Sequence, residues 1–451
     1  MAKTKTIYKC SNCGATAFKW QGKCNNCGEW DTLNEEVVAT NKKKISLKSL
    51  DYNTVTLQNI ETEKEYRIQT KIKEFDRVLG GGIVPGSLVL IGGDPGIGKS
   101  TLMLQMCRDL IEYNPLYITG EESLKQIKYR SLRIKNIPEN LEVLAETNFE
   151  TIESAIKNSE NNVIILDSIQ SIHSELIEST AGSVVQVREC TSRLMSLAKK
   201  LNKAIIIIGH INKDGAIAGP KILEHIVDTV LQFEGDKTYA YRILRSIKNR
   251  FGSTNEIGIF EMTQQGLDEV PNPSKIFLSE RQEAESGIAI VASVEGSRAI
   301  LLEVQALCTP TSFSVPQRTV TGFDSRRLQM IIAVLEKRLG AKFFKHDVFV
   351  NIAGGVQISD PSIDLGVAAA LVSSLKDITI DPKTAIIGEI GLTGEVRSVS
   401  LIEQRVKEVS KLGFDKVVIP NNNFKSIMNK VNIEYQPVER ISMALAMILK
   451  D

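Results

Sequence analysis

An α/β fold is predicted for this chain of 451 residues, with a short cysteine-bearing leader ahead of an α/β core and a second α/β domain behind it. Three observations predict it. Apolar runs at Leu88-Val89-Leu90-Ile91, Leu116-Tyr117-Ile118-Thr119, Val163-Ile164-Ile165-Leu166 and Ala204-Ile205-Ile206-Ile207-Ile208 alternate with stretches of helical periodicity. That is the pattern of parallel strands covered by helices on both faces. The first run leads directly into a glycine-rich stretch, Gly93-Asp94-Pro95-Gly96-Ile97-Gly98-Lys99-Ser100, with Thr101 behind it. Four of the seven cysteines stand in two Cys-x-x-Cys pairs near the N-terminus.

Taken in order, residues 1–34 form the leader. Cys10-x-x-Cys13 and Cys24-x-x-Cys27 can each set two thiolates on a tight knuckle, and two knuckles close a tetrahedral S₄ cage. Gly14 and Gly28 follow the second cysteine of each pair, where the knuckle needs a positive φ. The spacing predicts structural Zn²⁺; rubredoxin-type iron and a redox dithiol are the competing readings. A module this small is held together by its metal. Residues 35–65 turn polar and charged, with Lys42-Lys43-Lys44, and read as a linker.

Residues 66–270 form the core. The glycine-rich stretch fits G-x-x-x-x-G-K-[ST], and the strand before it and helix start after it are the context that this phosphate-binding loop needs. Backbone N–H groups from Gly93 to Gly98 would cradle phosphate oxygens, aided by the helix N-terminus. Lys99 would reach the β- and γ-phosphates of ATP, and Ser100, with Thr101 next to it, would hold Mg²⁺. Asp167 ends the run Val163–Leu166, the position of a carboxylate that orients hydrated Mg²⁺. Glu121 and Glu122 follow the run Leu116–Thr119; Glu121 is the expected base for the attacking water and Glu122 the lesser candidate. His210 follows another strand tip, where it could sense the γ-phosphate and signal into the loop behind it.

The helical spacing of Val187, Cys190, Leu194, Leu197 and Leu201 is a crossover helix's core face. Thr229–Phe233, Tyr239–Ile247 and Glu256–Glu261 read as antiparallel strands joined by turns. In Lys248-Asn249-Arg250-Phe251-Gly252 two cations two residues apart share a strand face. They could reach a γ-phosphate bound by a neighbouring subunit, as an arginine finger does.

A proline pair near Pro271-Asn272-Pro273 marks the start of the second domain, residues 271–451. Strands are expected at Ile288–Val294, Ala299–Leu307 and Val348–Ile352. Helices are expected through Leu328–Leu339 and Leu365–Leu375.

Composition narrows the classes. Hydrophobic content of 42% and charged content of 24% are ordinary for a globular protein. A net charge of +1 leaves no global footprint for nucleic acid, so any such surface is a local patch. No apolar run approaches the roughly 18–20 residues of a membrane span. Met1–Lys5 lacks a signal peptide's apolar core, and paired cysteines suit a reducing compartment. A cytoplasmic location with no membrane partner is the expectation.

The cysteine ribbon, the stretch Gly93–Thr101, Tyr117-Ile118-Thr119-Gly120-Glu121-Glu122-Ser123 and Lys248-Asn249-Arg250-Phe251-Gly252, in that order, resemble the bacterial RadA (Sms) family of DNA repair proteins over essentially the whole chain. The resemblance implies a RecA-like core, related to DnaB-type helicases, and a C-terminal domain similar to the Lon protease proteolytic domain. It further implies a homo-oligomeric, hexameric ring moved by ATP on single-stranded and branched DNA, and branch migration alongside the RecA recombinase. Lon-type peptidases use a Ser–Lys dyad. Ser362 in Asp360-Pro361-Ser362-Ile363-Asp364 matches the nucleophile, but Glu403 stands where the lysine belongs, with Lys407 one helical turn on. A carboxylate cannot replace the neutral amine that activates serine. A DNA-dependent motor is therefore preferred to an ATP-dependent peptidase or an ATP-gated switch. Lys213 and Lys221, after His210, are the expected DNA-facing lysines.

Overall fold

The structure is a computed structural model describing residues 4–39, 56, 66–210, 220–235, 241–254, 256–278, 285–354, 357–428 and 430–449. The chain divides into two compact units, one of Met1–Phe233, Ser246–Ser253 and Thr263–Leu267, the other of Glu234–Arg245, Thr254–Met262 and Asp268–Asp451.

The first unit begins with three short antiparallel strands, β1 (Thr4–Cys10), β2 (Thr16–Ala17) and β3 (Leu33–Ala39), with β1 in the middle. Next come α1 (Lys73–Leu79), β4 (Leu88–Gly93), α2 (Lys99–Asp109), β5 (Pro115–Thr119), α3 (Leu124–Arg133), β6 (Glu142–Ala145), α4 (Phe149–Asn158), β7 (Val163–Asp167), α5 (Val184–Leu201), β8 (Ala204–His210), α6 (Pro220–Ile226) and β9 (Thr229–Glu234). Six of these strands are parallel partners in the order β9-β4-β8-β7-β5-β6. Every residue of β4, β5 and β7 is buried, which is why these runs carry no polar alternation. α5 buries Val187, Cys190, Leu194 and Leu197 against the sheet, as its spacing requires. Ser183, Asn148 and Ser123 cap α5, α4 and α3 by accepting backbone N–H bonds, and Ser123 forms a capping box with Gln126.

One expected strand is placed differently. Thr229–Phe233 runs parallel to β4, with Val89 opposite Thr229 and Gly93 opposite Phe233. Its doubly buried Val230 and Leu231 suit a parallel interior better than an antiparallel ribbon. Antiparallel pairing is found between β10 (Tyr241–Asn249) and β11 (Ile257–Thr263), with Tyr241 opposite Glu261 and Arg245 opposite Ile257. β12 (Gly266–Glu269) and the short α7 (Pro273–Phe277) follow.

The second unit holds β13 (Ile288–Glu295), β14 (Arg298–Pro310), β15 (Arg318–Thr321), α8 (Ser325–Leu339), β16 (His346–Ile352), α9 (Asp364–Lys376), β17 (Thr384–Ile386), β18 (Glu389–Ile390), β19 (Val396–Arg397), α10 (Ile402–Lys411), β20 (Lys416–Pro420), α11 (Asn421–Ile427), β21 (Glu434–Val438) and α12 (Ile441–Ile448). Its seven-stranded sheet runs β15-β16-β14-β13-β17-β20-β21, antiparallel among β13, β14 and β16 and parallel from β13 through β21. α8 and α9 bury their apolar faces with β13 and β14 in one core. Among the described residues no helix is long and apolar enough to cross a membrane.

Candidate functional site

Because β4, β5, β7 and β8 are parallel neighbours, their C-terminal ends meet along one edge of the sheet. Register sets Gly93 opposite His210 and Thr119 opposite Asp167. The loop from Asp94 to Gly98 leaves that edge and turns into α2, whose first residue is Lys99. Asp94, Pro95 and Gly96 are exposed at its crest, Ile97 is tucked beneath it, and Ser100 and Thr101 are half-buried in the first helical turn. Lys99 Nζ, 4% exposed with its residue, donates to the carbonyls of Gly93 at 2.6 Å and Asp94 at 2.8 Å and lies 3.5 Å from His210 Nδ1. His210 Nε2 in turn sits 3.0 Å from Glu121 Oε1, and the Ser168 hydroxyl donates to the same carboxylate oxygen. Asp167, buried at the tip of β7, accepts a 2.6 Å bond from the Tyr117 hydroxyl. Lys99, singled out by the loop motif, and Glu121, His210 and Asp167, singled out by positions at or just after strand ends, therefore converge.

The electrostatics follow from that convergence. Burial pushes the Lys99 ammonium down to about 8, against the attraction of Asp167, Asp94 and Glu121. Glu121 is held below the ordinary carboxylate range by its bond with His210, burial opposing and Ser168 assisting. Glu122 faces elsewhere: Arg130 pairs with one of its oxygens. Glu121, 42% exposed, is thus the carboxylate left at the mouth of the site.

Lys248 and Arg250 are not part of this cluster. Lys248 Nζ donates to the carbonyls of Glu224 and, at 2.9 Å, Val227. Arg250 Nη1 donates to Asp228 Oδ1 at 3.1 Å, and Asp228 Oδ2 accepts the N–H of Leu88 at 3.2 Å. Leu88 is the first residue of β4 and Gly93 the last, so the two cations sit at the far end of the P-loop strand, about 17 Å away at the usual rise per residue. That span exceeds the reach of either side chain. Arg250 is 47% exposed there. Lys213, with the rest of residues 211–219, lies outside the described residues; Lys221 falls in α6.

In the leader, Cys10 and Cys27 Sγ are 3.6 Å apart, as are Cys13 and Cys24, and all four lie within 4.8 Å of one another. A disulfide needs about 2.05 Å. Four thiolates around a tetrahedral ion with bonds of about 2.3 Å stand about 3.8 Å apart, so the donor set fits one such metal. Gly14 and Gly28 have φ of +73° and +76°, as the knuckles require. Asn26 Nδ2, 3.5 Å from Cys13 Sγ, supplies an outer donor to the cage.

In the second unit the serine site is closed by a residue that sequence reasoning passed over. Ser362 is 1% exposed, and the buried Arg405 donates from Nη1 to its hydroxyl at 2.7 Å, to Asp360 Oδ2 at 2.6 Å and to the Ala292 carbonyl at 2.8 Å. Burial raises Asp360, but the guanidinium together with the backbone N–H groups of Val294 and Ser362 holds the carboxyl below its ordinary value. Glu403 points instead to Lys407 at 2.8 Å and Lys430 at 3.0 Å. A guanidinium stays protonated and cannot take a proton from serine. Arg405 lies only two residues beyond Glu403; counting helical positions from the first turn of α10 would have offered it. Tyr117 was hidden because a buried strand reads the same with or without one phenol.

Residues 8–35 match the rubredoxin metal binding domain family, residues 54–216 an AAA domain family, and residues 314–423 the family of subunit ChlI of Mg-chelatase. A DNA repair protein RadA of Halalkalibacterium halodurans is 50% identical over 459 aligned positions, covering 100% of both chains. That of Bacillus subtilis (strain 168) is 49% identical over 99% of both, and that of Listeria monocytogenes 48% identical over 100% of this chain and 99% of its own. The crystal structure of a RadB recombinase aligns at 22% identity and a TM-score of 0.37, over 45% of this chain and 99% of that one. Identity at this level over the full length of each relative is decisive: the chain belongs to the RadA family of DNA repair proteins.

Proposed function

We propose that the chain is a DNA-dependent ATP hydrolase: a ring-forming cytoplasmic motor or helicase, driven by ATP, that acts on single-stranded and branched DNA in recombinational repair, with the RecA recombinase as its partner. The observation that carries this reading is the meeting of Lys99, His210, Glu121 and Asp167 at one sheet edge. In it the loop Gly93–Gly98 and Lys99 bind the phosphates of ATP, and Ser100 and Asp167 orient Mg²⁺. Glu121 polarises the attacking water. His210 contacts both Lys99 and Glu121, so it can report the state of the γ-phosphate to the residues that follow it in the chain, among which Lys213 is the first candidate to grip DNA. Lys248 and Arg250, too far to serve their own site, complete that of a neighbouring copy. The four leader cysteines hold Zn²⁺. Arg405 argues against a peptidase, because Ser362 lacks a base.

The experiment is the rate of ATP hydrolysis with and without single-stranded DNA. Acceleration by DNA supports a motor. A rate indifferent to DNA, at concentrations where DNA binds, favours an ATP-gated switch.

A further inference from the structure

Tyr117 stands in the middle of β5, two residues before Thr119, and Thr119 is opposite Asp167. Residues two apart on a strand share a face, so the tyrosine ring lies on the same side of the sheet as the Asp167 carboxylate. The ring is wholly buried, and its hydroxyl donates to Asp167 Oδ2 at 2.6 Å. A bond this short is typical of a hydroxyl on an ionised carboxylate. A phenylalanine would fill the same space; the hydroxyl has to be accounted for, because a buried hydroxyl is costly unless bonded. A carboxylate turns about a broad, two-fold torsion. Fixing one oxygen therefore fixes where the other points.

We infer that Tyr117 is a positioning residue for the divalent cation of the bound nucleotide, holding Asp167 by Oδ2 so that Oδ1 is presented to the hydrated metal. This rests on the reading of the strand-tip cluster as a metal–nucleotide site. The residues present fit such a group: a buried carboxylate at the strand tip, the half-buried hydroxyl of Ser100, and Lys99 beside them. Tyr117 touches neither nucleotide nor metal; it acts through Asp167.

The test uses the full chain and Tyr117→Phe, which keeps the ring. Mn²⁺ affinity is measured by electron paramagnetic resonance with a saturating non-hydrolysable ATP analogue. The variant should bind Mn²⁺ about 10- to 100-fold more weakly, the usual effect of losing such an outer partner. Its affinity for the nucleotide without metal should stay within about twofold of wild type, and the Mg²⁺ concentration for half-maximal hydrolysis should rise in step. Asp167→Asn supplies the second arm: adding Tyr117→Phe to it should cost no further Mn²⁺ affinity, since the pair acts as a unit. Unchanged Mn²⁺ affinity in Tyr117→Phe, or losses that simply add in the double variant, would overturn the positioning role. Failure of the wild-type chain to bind nucleotide and Mn²⁺ together would instead overturn the reading of the site.

Discussion

Lys99 shows what one side chain contributes when its surroundings are fixed by the sheet. Its ammonium is buried under the loop and lowered to about 8. Phosphate oxygens favour the charged form, so binding should pull a proton onto the free protein's neutral fraction. The sign is definite: nucleotide affinity is full below about pH 8 and falls above it, approaching tenfold per pH unit. Calorimetry at about pH 9 in buffers of different ionisation heat should detect net proton uptake on binding; release, or none, would contradict the assignment of Lys99 to the phosphates. At the same scale lie the two residues that the sequence did not disclose. Tyr117 was invisible because its polar atom is spent on a partner fifty positions away in the chain, across a strand pair. Arg405 was passed over because the motif comparison weighed only Glu403 and Lys407, although the helix turns Glu403 outward and Arg405 inward. Motif spacing marks where a group belongs, and the helix decides which neighbour reaches it.

Single elements carry two further tests. α10 is pinned by Arg405 to β13 through the Ala292 carbonyl and to the turn carrying Asp360 and Ser362. Arg405→Ala leaves the Asp360 carboxylate without its cation and should destabilise this unit by about 3–5 kcal/mol. Ser362→Ala removes one neutral acceptor and should cost about 1 kcal/mol. Denaturant melts followed in the second unit should separate the two. Ser362→Ala should also leave ATP hydrolysis and DNA binding close to wild type, whereas ATP-dependent cleavage of an unfolded protein that this substitution abolishes would restore the peptidase reading. The leader is the other such element. Elemental analysis should find one zinc per chain, and iron in its place, or no stoichiometric metal, would contradict the ribbon assignment. Cys27→Ser should release the metal and unfold the leader while nucleotide binding at the strand tips persists. The element positions themselves were mostly legible, because buried parallel strands and amphipathic helices have different periods. β9 was the exception: five apolar-rich residues look alike in a parallel or an antiparallel setting, and only its pairing with β4 decides between them.

At the scale of the whole molecule, the loop with Lys99 and the cation Arg250 lie at opposite ends of β4. The phosphate loop leaves Gly93, while Arg250, through Asp228, is tied to Leu88. A single copy holds them apart, so on the proposed function a complete site forms only between copies. Arg250→Ala should bind ATP nearly as well as wild type, since Lys99 and the loop amides remain, while hydrolysis falls about 10³-fold. Lys99→Ala should lose binding itself. The direct measurement is the hydrolysis rate of the two variants mixed, with exchange of subunits verified by fluorescence transfer between labelled chains. Mixed assemblies contain boundaries at which the intact loop of the Arg250→Ala chain meets the intact Arg250 of the Lys99→Ala chain. Activity should return on mixing and depend on the ratio of the two; activity that stays absent at every ratio, with exchange demonstrated, would contradict a site shared between copies.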